Sequence, residues 1–160
     1  MIDGLGHGVD AAVAAAEGLK MAAAHDSSGP KRMLESAHQA LKHTRGAAMA
    51  LAEIDLSSRR VRYAGVGNIV AATASADLLR RMVSHDGTLG HEARMFQEFD
   101  YILEPGQALI LHSDGLKSHW QLDRLPGLLF RDPFLVAGVL YRDLFKGRDD
   151  ATVVVARVAA

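Results

Sequence analysis

The chain contains no cysteine among its 160 residues. Disulfides and thiolate zinc sites are therefore excluded, and the composition fits a reducing cytoplasm. Net charge is almost absent, at −1 from 18 basic and 19 acidic residues. No bulk field favours nucleic acid or an anionic membrane. No basic cluster interleaved with aromatics stands anywhere, so no nucleic-acid partner is expected. The apolar runs are short and interrupted, so no transmembrane helix is expected either. Several catalytic signatures are missing too: a Gly-x-Ser-x-Gly elbow, a Walker phosphate loop, a His-Glu-x-x-His helix and an Asp-x-Asp opening at Asp3.

What remains is a 49% hydrophobic chain of single-domain length, able to fill a core. Its most informative residues are aspartates at the ends of apolar segments. Asp3 follows Met1-Ile2 and opens Asp3-Gly4-Leu5-Gly6-His7-Gly8. Asp114 follows Ala108-Leu109-Ile110-Leu111 in His112-Ser113-Asp114-Gly115. Asp149-Asp150 precedes Ala151-Thr152-Val153-Val154-Val155-Ala156. A carboxylate at the end of a buried strand is costly unless charge or hydrogen bonds compensate it. Oxygen ligands suit magnesium or manganese, so three such acids can converge on one hard cation. Taken singly, Asp114-Gly115 is a turn dipeptide and Asp149-Asp150 a solvated acid pair. The Gly-x-Gly-x-Gly spacing from Gly4 to Gly8 does not match a dinucleotide fingerprint.

The residue pattern predicts two helices, Asp10 to Ala24 and Lys31 to His43, the second with Met33, Leu34, Ala37 and Leu41 inward. Ser27-Ser28-Gly29-Pro30 separates them. Strands are predicted over Ala48 to Ile54, Val61 to Val66, Ile69 to Thr73, Leu79 to His85, Phe96 to Leu103 and Ala108 to His112. A helix from Phe134 to Phe145, capped by Gly147, precedes a last strand from Val153 to Val158. Segregated helices and antiparallel strands argue an α+β fold in one domain, residues 1–160.

Together and in this order, the motifs resemble the metal-dependent serine/threonine phosphatases of the protein phosphatase 2C family. Within it they are similar to the bacterial SpoIIE type and the small RsbX-like stress-pathway phosphatases. Asp3-Gly4-Leu5-Gly6-His7-Gly8 with Ala11-Ala12, Arg45-Gly46-Ala47-Ala48, Tyr63-Ala64-Gly65-Val66-Gly67-Asn68, Ser113-Asp114-Gly115-Leu116 and Gly147-Arg148-Asp149-Asp150-Ala151-Thr152 carry the resemblance. It implies an antiparallel β-sandwich flanked by helices. It implies two Mn2+ or Mg2+ ions and a metal-activated water that attacks phosphate. Asp3 would bridge both ions and the Gly4 carbonyl would bind the second. Asp114 and Asp149 would complete the first, with Asp150 behind them. The substrate implied is a phosphorylated STAS-domain regulator in a bacterial partner-switching pathway.

Family members begin with strands upstream of the first Asp-Gly motif, one of which carries a further acid for the second metal. Here Ile2 has too little chain before it for a full strand of its own. The expectation is an N-terminally incomplete domain, with exposed sheet edges, a poorly anchored Met1–Asp3 and a second metal site short of a ligand. A larger parent with an ATP-binding anti-sigma-type domain fits the same resemblance. The competing reading is a catalytically weak phosphatase-like module that binds a regulatory partner.

Other residues carry lesser readings. His7 is a candidate to protonate a leaving serine oxygen, because histidine titrates near neutrality; otherwise it packs at the mouth of the site. Arg148 reads as a solvated loop arginine, with phosphate steering as the alternative. His112 reads as a hydrogen-bonded strand residue and Trp120 as a packing anchor. The segment Asp86-Gly87-Thr88-Leu89-Gly90 reads as a surface connection that can reach a substrate.

Overall fold

The computed structural model describes residues 1–23, 28–76, 78–120, 122 and 125–158. Two four-stranded antiparallel sheets stack face to face between helices. The first sheet has the order β1-β2-β3-β6, with β1 at Ile2–Gly4, β2 at Ala47–Asp55, β3 at Arg60–Val66 and β6 at Phe99–Ile102. The second has the order β5-β4-β7-β8, with β4 at Val70–Ala74, β5 at Leu79–Arg81, β7 at Ala108–His112 and β8 at Val153–Arg157. Helices α1 (Val9–Ala23) and α2 (Pro30–Ala40) cover the first sheet, and α3 (Pro133–Leu144) covers the second. The predicted α+β sandwich flanked by helices is the observed architecture.

Four layers make three cores, and the period of two along each strand sorts the side chains among them. Leu34, Ala37 and Leu41 meet Met49, Ala64 and Val66 between the helices and the first sheet. Ala50, Val61, Tyr63, Leu109 and Leu111 fill the space between sheets. Ile110, Trp120, Val136 and Leu140 pack beneath α3. The central strand β7 is buried along its whole length, because it feeds two of these cores.

Helix starts follow from local chemistry. Proline opens α2 and α3, where its missing N–H costs nothing. Asp132 caps α3 by accepting from the Phe134 N–H at 2.9 Å. Asp10 stands in the first turn of α1, favourable against the helix dipole, and pairs with Arg45 at 3.0 Å. Past α2, Leu41–His43 tightens to a 3₁₀ turn. Ala24 and Ser27, within the first predicted helix and the break after it, lie outside the described residues.

Four expectations need correction. Ile2–Gly4 does form a strand, because β2 supplies its partner: Ile2 faces Met49, Asp3 faces Ala48 and Gly4 faces Ala47. The Met1 ammonium donates to the Ala50 carbonyl at 2.8 Å, and the Ala50 N–H returns a bond to the Met1 carbonyl at 3.0 Å. The chain's beginning is thus laddered in rather than loose. The strand predicted to His85 ends at Arg81, because the chain then crosses between sheets; His85 N–H bonds the Gly65 carbonyl of β3. The strand predicted from Phe96 starts at Phe99, where pairing with Tyr63 begins. Gly147 does not cap α3. The helix closes at Phe145, and Gly147 makes a separate left-handed turn at φ 72°.

Candidate active site

Ile2 packs among the helix-side core, so the pleat turns Asp3 to the opposite face, toward the second sheet. There it meets the ends of two other strands. Asp114 lies in the turn that follows β7, and Asp149 and Asp150 lie in the loop that enters β8. Ser113 and Thr152 tie those two loops together: Ser113 N–H bonds the Thr152 carbonyl at 3.1 Å, and Thr152 N–H bonds Ser113 Oγ at 3.0 Å. Gly115 permits the contact, since a Cβ there would stand 2.2 Å from the Asp150 carbonyl oxygen. Gly4 plays the same part for α1, where a Cβ would fall 2.1 Å from the Ala11 carbonyl oxygen.

All the predicted metal ligands, Asp3, Gly4, Asp114 and Asp149, line one open cavity of about 830 Å³, with Asp150, His7 and Arg148. Asp86, Gly87 and Thr88 form a further part of its wall, so the connection after His85 reaches the site. That wall is held by Leu89, which exchanges both backbone hydrogen bonds with Ala47 of β2. His7 and Arg148 are exposed on the rim.

Burial raises the pKa of Asp3, and the neighbouring charges of Asp114, Asp149 and Asp150 raise it further. The four acids therefore share one electrostatic environment. Among the described residues, no three acidic or histidine side chains are gathered tightly enough to hold an ion as they stand. Bare carboxylates brought together repel one another until a cation compensates them. The acids that line the cavity beside Gly4 offer oxygen donors, which fit a hard divalent cation rather than zinc or copper.

Two supporting residues were not singled out from sequence. Asn68 donates from Nδ2 to Asp114 Oδ2 at 2.8 Å, and Lys146 donates from Nζ to the Asp114 carbonyl at 2.5 Å. Asn68 was legible as the end of the Tyr63-Ala64-Gly65-Val66-Gly67-Asn68 motif but without a task; nothing local marks Lys146. His112 stands behind Asp114 as a structural residue. Trp120 donates to its Nε2 at 3.1 Å, so Nδ1 bears the proton and donates to the Ser113 carbonyl at 2.7 Å. Burial lowers its pKa, which keeps the ring neutral. Trp120 itself is buried under α3, as a packing anchor.

Sandwich, flanking helices and acid-lined cavity together define a protein phosphatase 2C-like chain. Residues 1–128 match the family of stage II sporulation protein E (SpoIIE), and the chain belongs to that family. Solved structures agree. A chain from work on the bacterial stressosome, as a modular system adapted to control secondary messenger signalling, superposes with TM-score 0.86 at 27% identity, covering 98% of this chain and 82% of that one. RsbX in complex with magnesium superposes at 0.78 with 23% identity, covering 96% and 77%. The serine/threonine phosphatase PstP/Ppp of Mycobacterium tuberculosis superposes at 0.77 with 16% identity, covering 99% and 87%. No curated protein sequence matches the chain. Among the described residues, no helix is long and apolar enough to cross a membrane.

Proposed function

We propose that the chain is a manganese- or magnesium-dependent phosphatase acting on phosphoserine or phosphothreonine of a bacterial regulatory protein. The observation that carries this reading is the convergence of Asp3, Asp114, Asp149 and Asp150, from three distant segments, on one cavity. Asp3, Asp114 and Asp149, with the Gly4 carbonyl, would hold the cations, and Asp150 would support them. Bound there, divalent ions supply a nucleophilic water and neutralise the phosphoryl oxygens. Asn68 and Lys146 hold Asp114 in place. Arg148, on the rim, receives the phosphate's charge, and His7 offers a proton to the departing serine or threonine oxygen. The openness of the cavity suits a phosphorylated protein surface rather than an enclosed small molecule.

Membership of the SpoIIE family, with similarity to RsbX and to a stressosome chain, supports a STAS-domain phosphoprotein in partner switching as the substrate, and a cytoplasmic setting. The test is hydrolysis of an aryl phosphate and of a phosphoserine STAS protein, with and without Mn2+. Asp114→Asn and Asp149→Asn should each lower turnover by more than the roughly 10–100-fold that loss of an outer supporting residue costs. Unchanged turnover in both variants, or equal turnover in EDTA, removes the mechanism.

A further inference from the structure

The cavity wall of Asp86, Gly87 and Thr88 continues into a turn that two histidines fasten to the end of α2. Gly90 packs against Leu41, so closely that a Cβ would stand 2.7 Å from the Leu41 carbonyl oxygen. Its partly buried N–H donates to His38 Nδ1 at 3.1 Å. One residue on, His91 Nε2 meets the Thr44 carbonyl at 2.9 Å. The Thr88 carbonyl accepts from both the His91 and the Ala93 N–H at 3.1 Å, so the turn from Thr88 to Ala93 moves as one piece with the wall.

The two rings differ in what their contacts require. A backbone N–H only donates, so His38 Nδ1 must offer a lone pair, and the ring's proton sits on Nε2. A carbonyl only accepts, so His91 Nε2 bears a proton and its bond survives in either charge state. Protonation therefore breaks one contact and spares the other. The surroundings of His38 keep its ring neutral. Burial holds its pKa below the ordinary 6.5, and Lys42 and His91 lower it further. Phe96 lies edge-on to the ring, with centroids 5.4 Å apart. Glu35, one turn back on α2, faces Lys31 at 3.8 Å. His43 on the 3₁₀ turn and Glu92 and Arg94 beyond His91 are exposed.

We propose that His38 is the latch of the cavity wall: its neutral ring holds Gly90 against α2, and a proton on Nδ1 loosens the wall. This adds pH control to the site, and it rests on the phosphatase reading for its effect on turnover. A histidine whose folded pKa is depressed supports the structure above its unfolded value, and that support is lost as pH falls through the folded value. The latch is thus made in neutral solution and opens in mild acid, below the ordinary 6.5.

Amide hydrogen exchange followed by NMR, corrected for intrinsic rates, reads the latch without any activity. Between about pH 7.5 and about pH 5.5, wild-type protection of Gly90 and Leu89 should fall roughly tenfold, the effect of losing one hydrogen bond to a partly buried amide. Met82, bonded to the Ala71 carbonyl at 2.9 Å, should keep its protection. His38→Asn sets a non-titrating oxygen where Nδ1 stands and should keep Gly90 protected at both pH values. His38→Leu should lose that protection at both. The second readout, with Mn2+ present, is kcat/KM for a phosphoserine protein divided by that for an aryl phosphate. In acid this ratio should fall more steeply for the wild type than for His38→Asn, in which His7 and the acids of the cavity still titrate. Wild-type protection of Gly90 that ignores pH, a parallel loss in His38→Asn, or full protection in His38→Leu overturns the latch. Parallel ratios in the two proteins overturn its control of the site. Absence of hydrolysis in all three proteins removes the phosphatase reading instead, and exchange alone then decides on the latch.

Discussion

Asp114 is gripped from two directions, by the Asn68 amide at its carboxylate and by the Lys146 ammonium at its carbonyl. A group held this way loses little freedom when an ion arrives. Asn68→Ala should therefore weaken Mn2+ binding by about 10-fold while leaving the far-UV circular dichroism unchanged, because Asn68 is exposed and fills no core. Titration calorimetry reads the first quantity, and unaltered affinity would show that the Asn68 contact is idle. Asp3 offers a test in pH. Its folded pKa is raised above the ordinary 3.8, first by burial and then by Asp114, Asp149 and Asp150. An acid shifted upward favours the fold fully below its unfolded value, and that contribution disappears as pH rises through the folded value. In EDTA, Asp3→Asn should thus be more stable than wild type at pH 7. The gap should close toward pH 4, as the native aspartate takes up its proton. Urea midpoints at the two pH values check this; a variant equally or less stable at pH 7 contradicts it.

At the scale of elements, β1 and α1 are fitted to each other through Gly4. Gly4→Ala drives a Cβ into the Ala11 backbone, which cannot step aside as a flexible side chain would. The expected cost is about 1–3 kcal/mol in urea unfolding, with weakened Mn2+ binding because Asp3 shifts too. The longer elements were legible in sequence. Leu34, Ala37 and Leu41 repeat with the helical period, and Ala108–His112 is a run long enough and apolar enough to be recognised as a buried strand. Asp114 and Asp149 were legible because each borders such a run, whereas Asp3 follows only Met1-Ile2 and was legible through the Asp3-Gly4-Leu5-Gly6-His7-Gly8 motif. The short elements were not. Three residues carry no period, so β1 depends wholly on a partner at Ala47–Met49. The crossing from Arg81 to His85 is dictated by a bond to Gly65 in the other sheet, which no local pattern reveals. The contacts of Asn68 and Lys146 with Asp114 were silent for the same reason, since they span 46 and 32 residues, although Asn68 itself stood in a motif that carries the resemblance.

Over the whole molecule, three apolar cores hold the layers together, while most ion pairs among the described residues lie at the surface, those of Arg62 with Glu53 and Glu98 being the more buried ones. Arg60–Asp100, for instance, leaves both side chains about half exposed, at 52% and 55%. Such pairs contribute little and are screened by salt. Raising NaCl to about 0.5 M, where the Debye length is only a few ångströms, should leave the thermal midpoint nearly unchanged. Leu34→Ala or Ile110→Ala, by contrast, should each cost about 2–5 kcal/mol. A large salt effect with a mild Leu34→Ala would reverse this order of importance. The cavity is founded on both sheets. Asp3 rides on the first sheet, while Asp114 and Asp149 ride on the second. The two jaws of the site thus belong to separate slabs, and their gap is set by how those slabs slide. Tyr63, Leu109 and Leu111 act as the bearing between them. A change of shape there would shift the jaws without touching either one, so the site's calibration resides in its apolar interior.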